Sequence, residues 1–282
     1  MHLEVRVTPK HPSILALGTE RMGSGTLVAE DLVLTVNYIT LGAAAVTVTG
    51  PRGRRATGEV VARDFDSGLA LVKTPRGLGP PAPLGEAAAE RGQPVFILAS
   101  TSPTARRVRA GVLTEVGPFD ATWEYMLDRA LKASAPNPGF GGGALCDLQG
   151  RMLGVVSLNL AEVARASLAI PVDLFRGHRD ELIRDGRVLS RPPRAWLGLF
   201  SQGGAGGLQV VAVIPGSPAA RAGVREGDLL IGLDVVRLGS RREFYTELWK
   251  HRPGEPVLLS LLRGGTPKAI EVVAGDRAEF YR

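Results

Sequence analysis

Nucleophilic chemistry needs a side chain that attacks, and the 282 residues offer a single thiol, Cys146, in the apolar run Ala144-Leu-Cys-Asp147. A lone cysteine in such a run reads as a small buried hydrophobe. With no second cysteine it closes no disulfide. Just before it comes a glycine-rich stretch, Gly139–Gly143. Such loops cradle phosphates when a Lys-Ser/Thr pair follows and a helix opens; here neither does, so nucleotide binding is not expected. The arginine clusters Arg52/Arg54/Arg55 and Arg106/Arg107/Arg109 lie in turns or at strand edges without interleaved aromatics. They read as solvated loops rather than a nucleic-acid surface. No cofactor and no metal site is expected.

The elements that must position these groups are mostly strands. Hydrophobic residues make up 44% of the chain, enough for real cores, and 36 glycines with 20 prolines point to many turns rather than a helical bundle. Mean hydropathy is +0.08, which excludes disorder over the whole length. The net charge of +6 is carried mainly by arginine, 29 of the 34 basic residues. Short β-like runs bounded by Gly or Pro are predicted at Ser13–Leu17, Gly25–Ala29, Leu32–Val36, Ala45–Val48, Gly58–Ala62, Leu69–Lys73, Pro94–Ala99, Val108–Val116, Val155–Leu160 and Ala166–Ile170. Gly77–Pro94 reads as a linker between two halves, about 12–84 and 94–170. Residues 172–185 have helical spacing ending at Gly186. Arg191-Pro-Pro-Arg194 falls within a hinge, 190–194, that closes a domain of residues 1–189. The remainder, 195–282, reads strand, strand, short helix, strand, longer helix, two strands. Ser217-Pro218 caps the short helix, and Ser240-Arg-Arg-Glu243 forms a capping box for the longer one.

Leu32–Pro51 is uncharged and of bilayer length, but it divides into two β-like runs, so no membrane span is expected. His2, Glu4, Arg6 and Lys10 interrupt any apolar leader, so no signal peptide is read. The expected location is cytoplasmic if this is the full native chain.

Gly23-Ser-Gly25 followed by Leu34-Thr-Val-Asn-Tyr38-Ile resembles the opening of HtrA/Deg-type trypsin-like serine proteases, where a histidine acts as general base at the place of Tyr38. Asp64-Phe-Asp-Ser-Gly68-Leu-Ala-Leu-Val-Lys73 resembles the run holding the orienting aspartate, matched by Gly68. Asn137-Pro-Gly-Phe-Gly141-Gly-Gly-Ala-Leu145 resembles the nucleophile loop, with Gly141 at the serine position. Gly150–Val155, Leu168–Pro171 and Leu182–Gly186 continue the match, so the likeness extends over about residues 12–282. It implies a mainly β fold, a trypsin-like double β-barrel followed by a small α+β PDZ domain. It also implies that the triad positions are empty. Losing a serine or histidine from such a triad costs about a millionfold in turnover. Asp66 is displaced from the orienting position by about 7 Å along a strand, and none of His2, His11, His178 and His251 lies in a matching motif. What the resemblance leaves is a vestigial oxyanion hole at the amides of Gly139 and Gly141.

In the last domain, Trp196-Leu-Gly-Leu199, Ser217–Gly223, Glu226–Ile231 and Arg263-Gly-Gly265 resemble a PDZ module; Leu233-Asp-Val235 departs from it, where Asn-Gly is usual. A PDZ groove adds an extended peptide as a strand and holds its terminal carboxylate on loop N–H groups. The resemblance assigns that groove to Leu197, Gly198, Leu199, Phe200, Phe244 and Leu248, and the tail Phe280-Tyr281-Arg282 is a candidate ligand for a neighbouring chain. The expected function is that of a catalytically inactive protease homologue, a pseudoprotease, which binds protein C-termini or extended peptides as an adaptor or regulator in protein quality control. The alternatives are an endopeptidase using non-standard residues, or a non-catalytic subunit assembled with an active HtrA homologue. Relatives are commonly homo-oligomers and act outside the cytoplasm, which the resemblance extends to this chain as an expectation.

Overall fold

Period-two alternation begins with the third residue: Leu3, Val5 and Val7 are buried while Glu4 and Arg6 are more exposed, within strand β1 (His2–Val7). The computed structural model describes residues 1–85, 89–160 and 166–282. The chain forms two compact units, Met1–Pro118 with Asp128–Leu189, and Phe119–Leu127 with Ser190–Arg282. The second unit therefore takes in nine residues that the sequence reading gave to the barrel domain.

In the first unit, β1, β2 (Glu20–Ser24), β3 (Thr26–Ala29), β4 (Leu32–Val36), β5 (Ala43–Thr49), β6 (Arg55–Asp64) and β7 (Leu69–Lys73) make an antiparallel sheet in the order β2-β1-β5-β6-β7-β4-β3. Its two end strands are separated in sequence by Gly25 alone, so the sheet must roll to bring its ends together. A Cβ at Gly25 would press into Val33 and Leu3, which ties that junction to glycine. All five residues of β4 are buried, so it runs through the interior with both faces covered. The first half thus starts at residue 2 rather than about 12, and Ser13–Leu17, expected as a strand, is a helical turn at Ile14–Leu17.

The second half is a closed barrel in the order β10-β13-β12-β11-β8-β9, formed by β8 (Pro94–Ser100), β9 (Arg106–Asp120), β10 (Met126–Ala133), β11 (Ala144–Asp147), β12 (Met152–Asn159) and β13 (Ser167–Pro171). Val95, Ile97, Leu113, Leu131, Leu145 and Val156 fill its core. Of the expected linker Gly77–Pro94, residues 86–88 lie outside the described residues. The single helix expected at 172–185 is two, Val172–Arg176 and Arg179–Asp185. They part at Gly177, a weak helix former, and at His178, whose φ of −126° is not helical.

The second unit is a sheet of β14 (Leu199–Gly204), β15 (Gly207–Val213), β16 (Leu229–Leu233), β18 (Pro256–Arg263) and β19 (Thr266–Val273), with the short β17 (Val236–Arg237) on β16. Ser217 caps the helix Pro218–Ala222 through the Ala220 N–H, and Ser240 with Glu243 closes the capping box of the helix Arg241–Leu248. At the turn where Asn-Gly was expected, Asp234 itself takes a positive φ of 49° and its carboxylate accepts from the Leu258 N–H. Phe280 and Tyr281 pack on Trp196 of their own unit, at ring separations of 4.7 and 6.0 Å.

Asp228, almost wholly buried, receives a two-pronged bond from Arg263 at 2.7 Å on each oxygen and a further bond from the Arg225 N–H. Burial works to raise this carboxyl, but Arg263 and the Arg225 N–H outweigh it and hold the pKa below the ordinary value of 3.8. A carboxyl with a depressed folded pKa adds stability that is fully present above its unfolded pKa and is lost as the pH falls from there through the folded pKa. Arg263→Ala should therefore destabilise the second unit at neutral pH, since it leaves the buried Asp228 carboxylate without its cation. Denaturant titrations at pH 7 and pH 3 check this, with the deficit shrinking at pH 3.

Candidate functional site

Tyr38 stands on a short helix, Asn37–Thr40, directly after the buried strand β4. The helix is tied down from three sides: the Asn37 N–H donates to Gly68 O at 2.8 Å, Arg21 donates to Tyr38 O at 2.7 Å, and Arg63 to Thr40 O at 2.7 Å. Gly68, with a φ of +80°, ends the turn that opens at Asp64 and sets its carbonyl against the start of this helix. Tyr38 and Gly68 are thus brought together through backbone, and Gly68 has no carboxylate to offer. Asp66 lies in the same turn, its N–H bonded to the Asp64 carboxylate.

The loop Asn137–Gly143 is fixed by the strands around it. Gly141 O accepts from the Ser24 N–H at 2.7 Å, Phe140 N–H donates to Ser100 O, and Gly142 N–H donates to Val156 O. Gly142 has a φ of +89°, and a Cβ there would run into Ser24 O. The Gly139 N–H, one of the two expected oxyanion donors, is turned to Asn137 Oδ1 at 3.3 Å.

Tyr38 and Gly141 meet. The Tyr38 hydroxyl donates to Ser157 O at 3.0 Å, and a Cβ built on Gly141 would collide with that same hydroxyl. The phenol occupies the space in which a side chain at residue 141 would begin. Burial pushes the Tyr38 pKa up to about 12, so the group is neutral and proton-bearing at physiological pH.

Other nucleophiles and bases are engaged elsewhere. Cys146 is buried in β11, and burial together with Asp147 pushes its thiol up to about 12. His251 pairs with Asp234 at 2.8 Å and His178 faces Glu181 at 3.8 Å. His11 Nδ1 lies 2.7 Å from the Ser13 hydroxyl. A cluster not foreseen from sequence joins His2 Nδ1 to Ser100 Oγ at 3.1 Å and Ser100 Oγ to Ser24 Oγ at 3.1 Å. A serine beside a histidine suggests a nucleophile with its base, but His2 and Ser100 are sealed at 0% and 2% exposure. Burial also lowers the His2 pKa, so the ring stays neutral. The cluster links β1, β2 and β8 rather than facing a substrate.

In the second unit, Leu197, Leu199, Phe244 and Leu248 belong to one buried cluster. The loop before β14 turns three successive N–H groups onto one carboxylate, that of Glu124. Leu197 donates to Oε2 at 2.8 Å, and Gly198 and Leu199 donate to Oε1 at 2.7 and 2.9 Å. Gly198 has the positive φ, +81°, that such a carboxylate nest requires. Phe200 pairs with Trp123 as an antiparallel bridge. Phe119–Leu127 thus lies against the expected groove residues Leu197, Gly198, Leu199 and Phe200, while Phe244 and Leu248 are core side chains.

The Tyr38–Gly141 fit predicts that Gly141→Ser destabilises the first unit by about 1–3 kcal/mol through overpacking. Tyr38→Ala should relieve part of that cost, so that the double variant is more stable than the sum of the single effects allows. Thermal melts of the four proteins check it.

The trypsin-like peptidase domain family matches residues 23–155 and the PDZ domain family matches 181–273. A probable periplasmic serine endoprotease, DegP-like, from Halomonas elongata is 27% identical over 95% of this chain, which spans 60% of that protein's length. Serine endoprotease DegS from Haemophilus influenzae is 26% identical over 91% of this chain and 78% of its own. Among solved structures, the HtrA-type protease AlgW with a decapeptide superposes with a TM-score of 0.58 at 23% identity, covering 98% of this chain and 94% of AlgW, a likeness of fold. The chain therefore has a trypsin-like peptidase domain followed by a PDZ domain, and over most of its length it is similar to HtrA-type and DegS proteases.

Proposed function

We propose that this protein is a catalytically inactive homologue of the HtrA-type serine proteases, which acts on other polypeptides by binding them through its PDZ groove as an adaptor or regulator. The observation that carries the reading is the Tyr38–Gly141 pair: the phenol fills the place from which a nucleophile at residue 141 would project. Acyl transfer needs an attacking group, a base that takes its proton and a group that orients the base. A glycine at 141 supplies no attacker. A phenol whose pKa is pushed up to about 12 does not accept a proton at neutral pH, and Gly68 supplies no carboxylate. The Gly139 N–H, one of the two expected oxyanion donors, is bonded to Asn137 Oδ1 instead.

The binding half of the reading is supported by the PDZ match and by the three-amide nest before β14. The relative from Halomonas elongata carries "periplasmic" in its name, which favours a place of action outside the cytoplasm. No helix among the described residues is long and apolar enough to cross a membrane.

Purified protein should release no peptide from casein and no chromophore from a peptide anilide above the rate in buffer. Turnover that disappears on Cys146→Ala or Asp66→Ala would contradict the reading.

A further inference from the structure

The carboxylate nest of the second unit is occupied by a side chain of the same chain. Its three successive N–H groups converge on Glu124 alone, whose residue is only 4% exposed. Burial of that carboxyl raises its pKa, and the three amides with Arg277 offset the rise only in part. A buried carboxylate without such donors would be costly, so side chain and nest complete one another.

The residues leading to Glu124 make one antiparallel bridge to a sheet edge, within a turn closed by the Ala121 N–H on Tyr125 O at 2.9 Å. β14 is an edge strand of its sheet, and an edge strand presents unpaired backbone groups to any extended segment. Here the segment is internal: the Ser201 N–H donates to Thr122 O at 2.7 Å, and Trp123 pairs with Phe200. The helix on the other side of the groove holds the same segment. Tyr245 donates its hydroxyl to Ala121 O at 2.7 Å, and Arg241 pairs with Asp120 at 2.9 Å. Arg277 bonds to Glu124 O, and Met126 packs against the core of the unit.

A segment bridged antiparallel to the edge strand, pinned by the helix Arg241–Leu248 and ended by a carboxylate in a nest, reproduces the main contacts by which a peptide C-terminus is bound. Chain continuity forbids a terminal carboxylate at residue 124, and the glutamate side chain supplies one. Trp123 and Phe119 stack and edge on Tyr125, at 6.4 and 6.5 Å, ordering the segment on itself.

We propose that Glu124 is a built-in surrogate for a peptide C-terminus, so that the groove is self-liganded and an incoming C-terminal peptide binds only by displacing Phe119–Leu127. This rests on the reading of the groove as a peptide receptor, and it adds the regulation of that site. A tethered ligand acts at an effective concentration on the order of millimolar, so a segment that binds the groove with an intrinsic dissociation constant of about 100 μM or tighter weakens any competing peptide by at least about tenfold. Because the displaced segment joins β9 to β10, peptide capture and rearrangement of that connection are one event.

The test uses the full chain, wild type and Glu124→Ala, with Glu124→Gln as a second variant that keeps side-chain length and loses the charge. Near-ultraviolet circular dichroism establishes that each is folded. Hydrogen exchange of the Leu197, Gly198 and Leu199 amides without peptide should be slow in the wild type and at least tenfold faster in Glu124→Ala, with Glu124→Gln between them. Fast exchange in the wild type overturns the proposal. Fluorescein-labelled decapeptides ending in Leu, Val or Phe with a free carboxylate should bind Glu124→Ala at least tenfold more tightly than the wild type, and their C-terminal amides should bind neither. Equal affinity for wild type and Glu124→Ala overturns the proposal. Slow exchange released by Glu124→Ala, with no peptide bound by either protein, supports the self-liganded groove and overturns the peptide-receptor reading instead.

Discussion

Two atoms cannot share one volume, and the first unit is organised around that fact at Tyr38 and Gly141. The phenol reaches its acceptor, Ser157 O, only because residue 141 has no side chain, and residue 141 can have none while the phenol is there. Each residue makes the other necessary, so a change at either alone meets a steric or cavity cost. The surroundings hold both partners still. Arg21 and the Gly68 carbonyl fix the helix of Tyr38, while Ser24, Ser100 and Val156 fix the glycine loop. On the proposed reading, this is a protease cleft whose catalytic volume has been given over to packing.

The second unit follows the same logic with charge in place of volume. A nest of three amides strongly favours an anion, and a sheet edge favours another strand; leaving both unfilled would expose polar backbone. Glu124 and the residues before it meet both demands from within the chain. On the proposed reading, the cleft of the first unit and the groove of the second are both filled by this protein's own residues.

Much of this was legible in the sequence wherever a motif is local. The capping box at Ser240 and Glu243, the Ser217 cap and the runs of β4 and β7 depend on residues within one or two turns, and the structure has them. The fold class followed from motif order. β1 was missed because His2, Glu4 and Arg6 were read as interruptions, when their alternation with Leu3, Val5 and Val7 is itself a strand pattern. The collision between Tyr38 and a Cβ at 141 joins residues more than a hundred positions apart, so spacing could flag the two substitutions but not their mutual dependence. Glu124 carried no motif at all. Its only local signal is a carboxylate in an aromatic-flanked segment, Thr122-Trp-Glu-Tyr125, and its role emerges only when the chain places it beside a loop more than seventy residues away.

The most direct test of the central claim is active-site labelling of the native protein with a serine-directed fluorophosphonate, followed by peptide mapping in a mass spectrometer. The account predicts no phosphonylated residue anywhere in the first unit, under conditions that label trypsin to completion. A stoichiometric adduct on any side chain of that unit, lost when the protein is heat-denatured first, would contradict it.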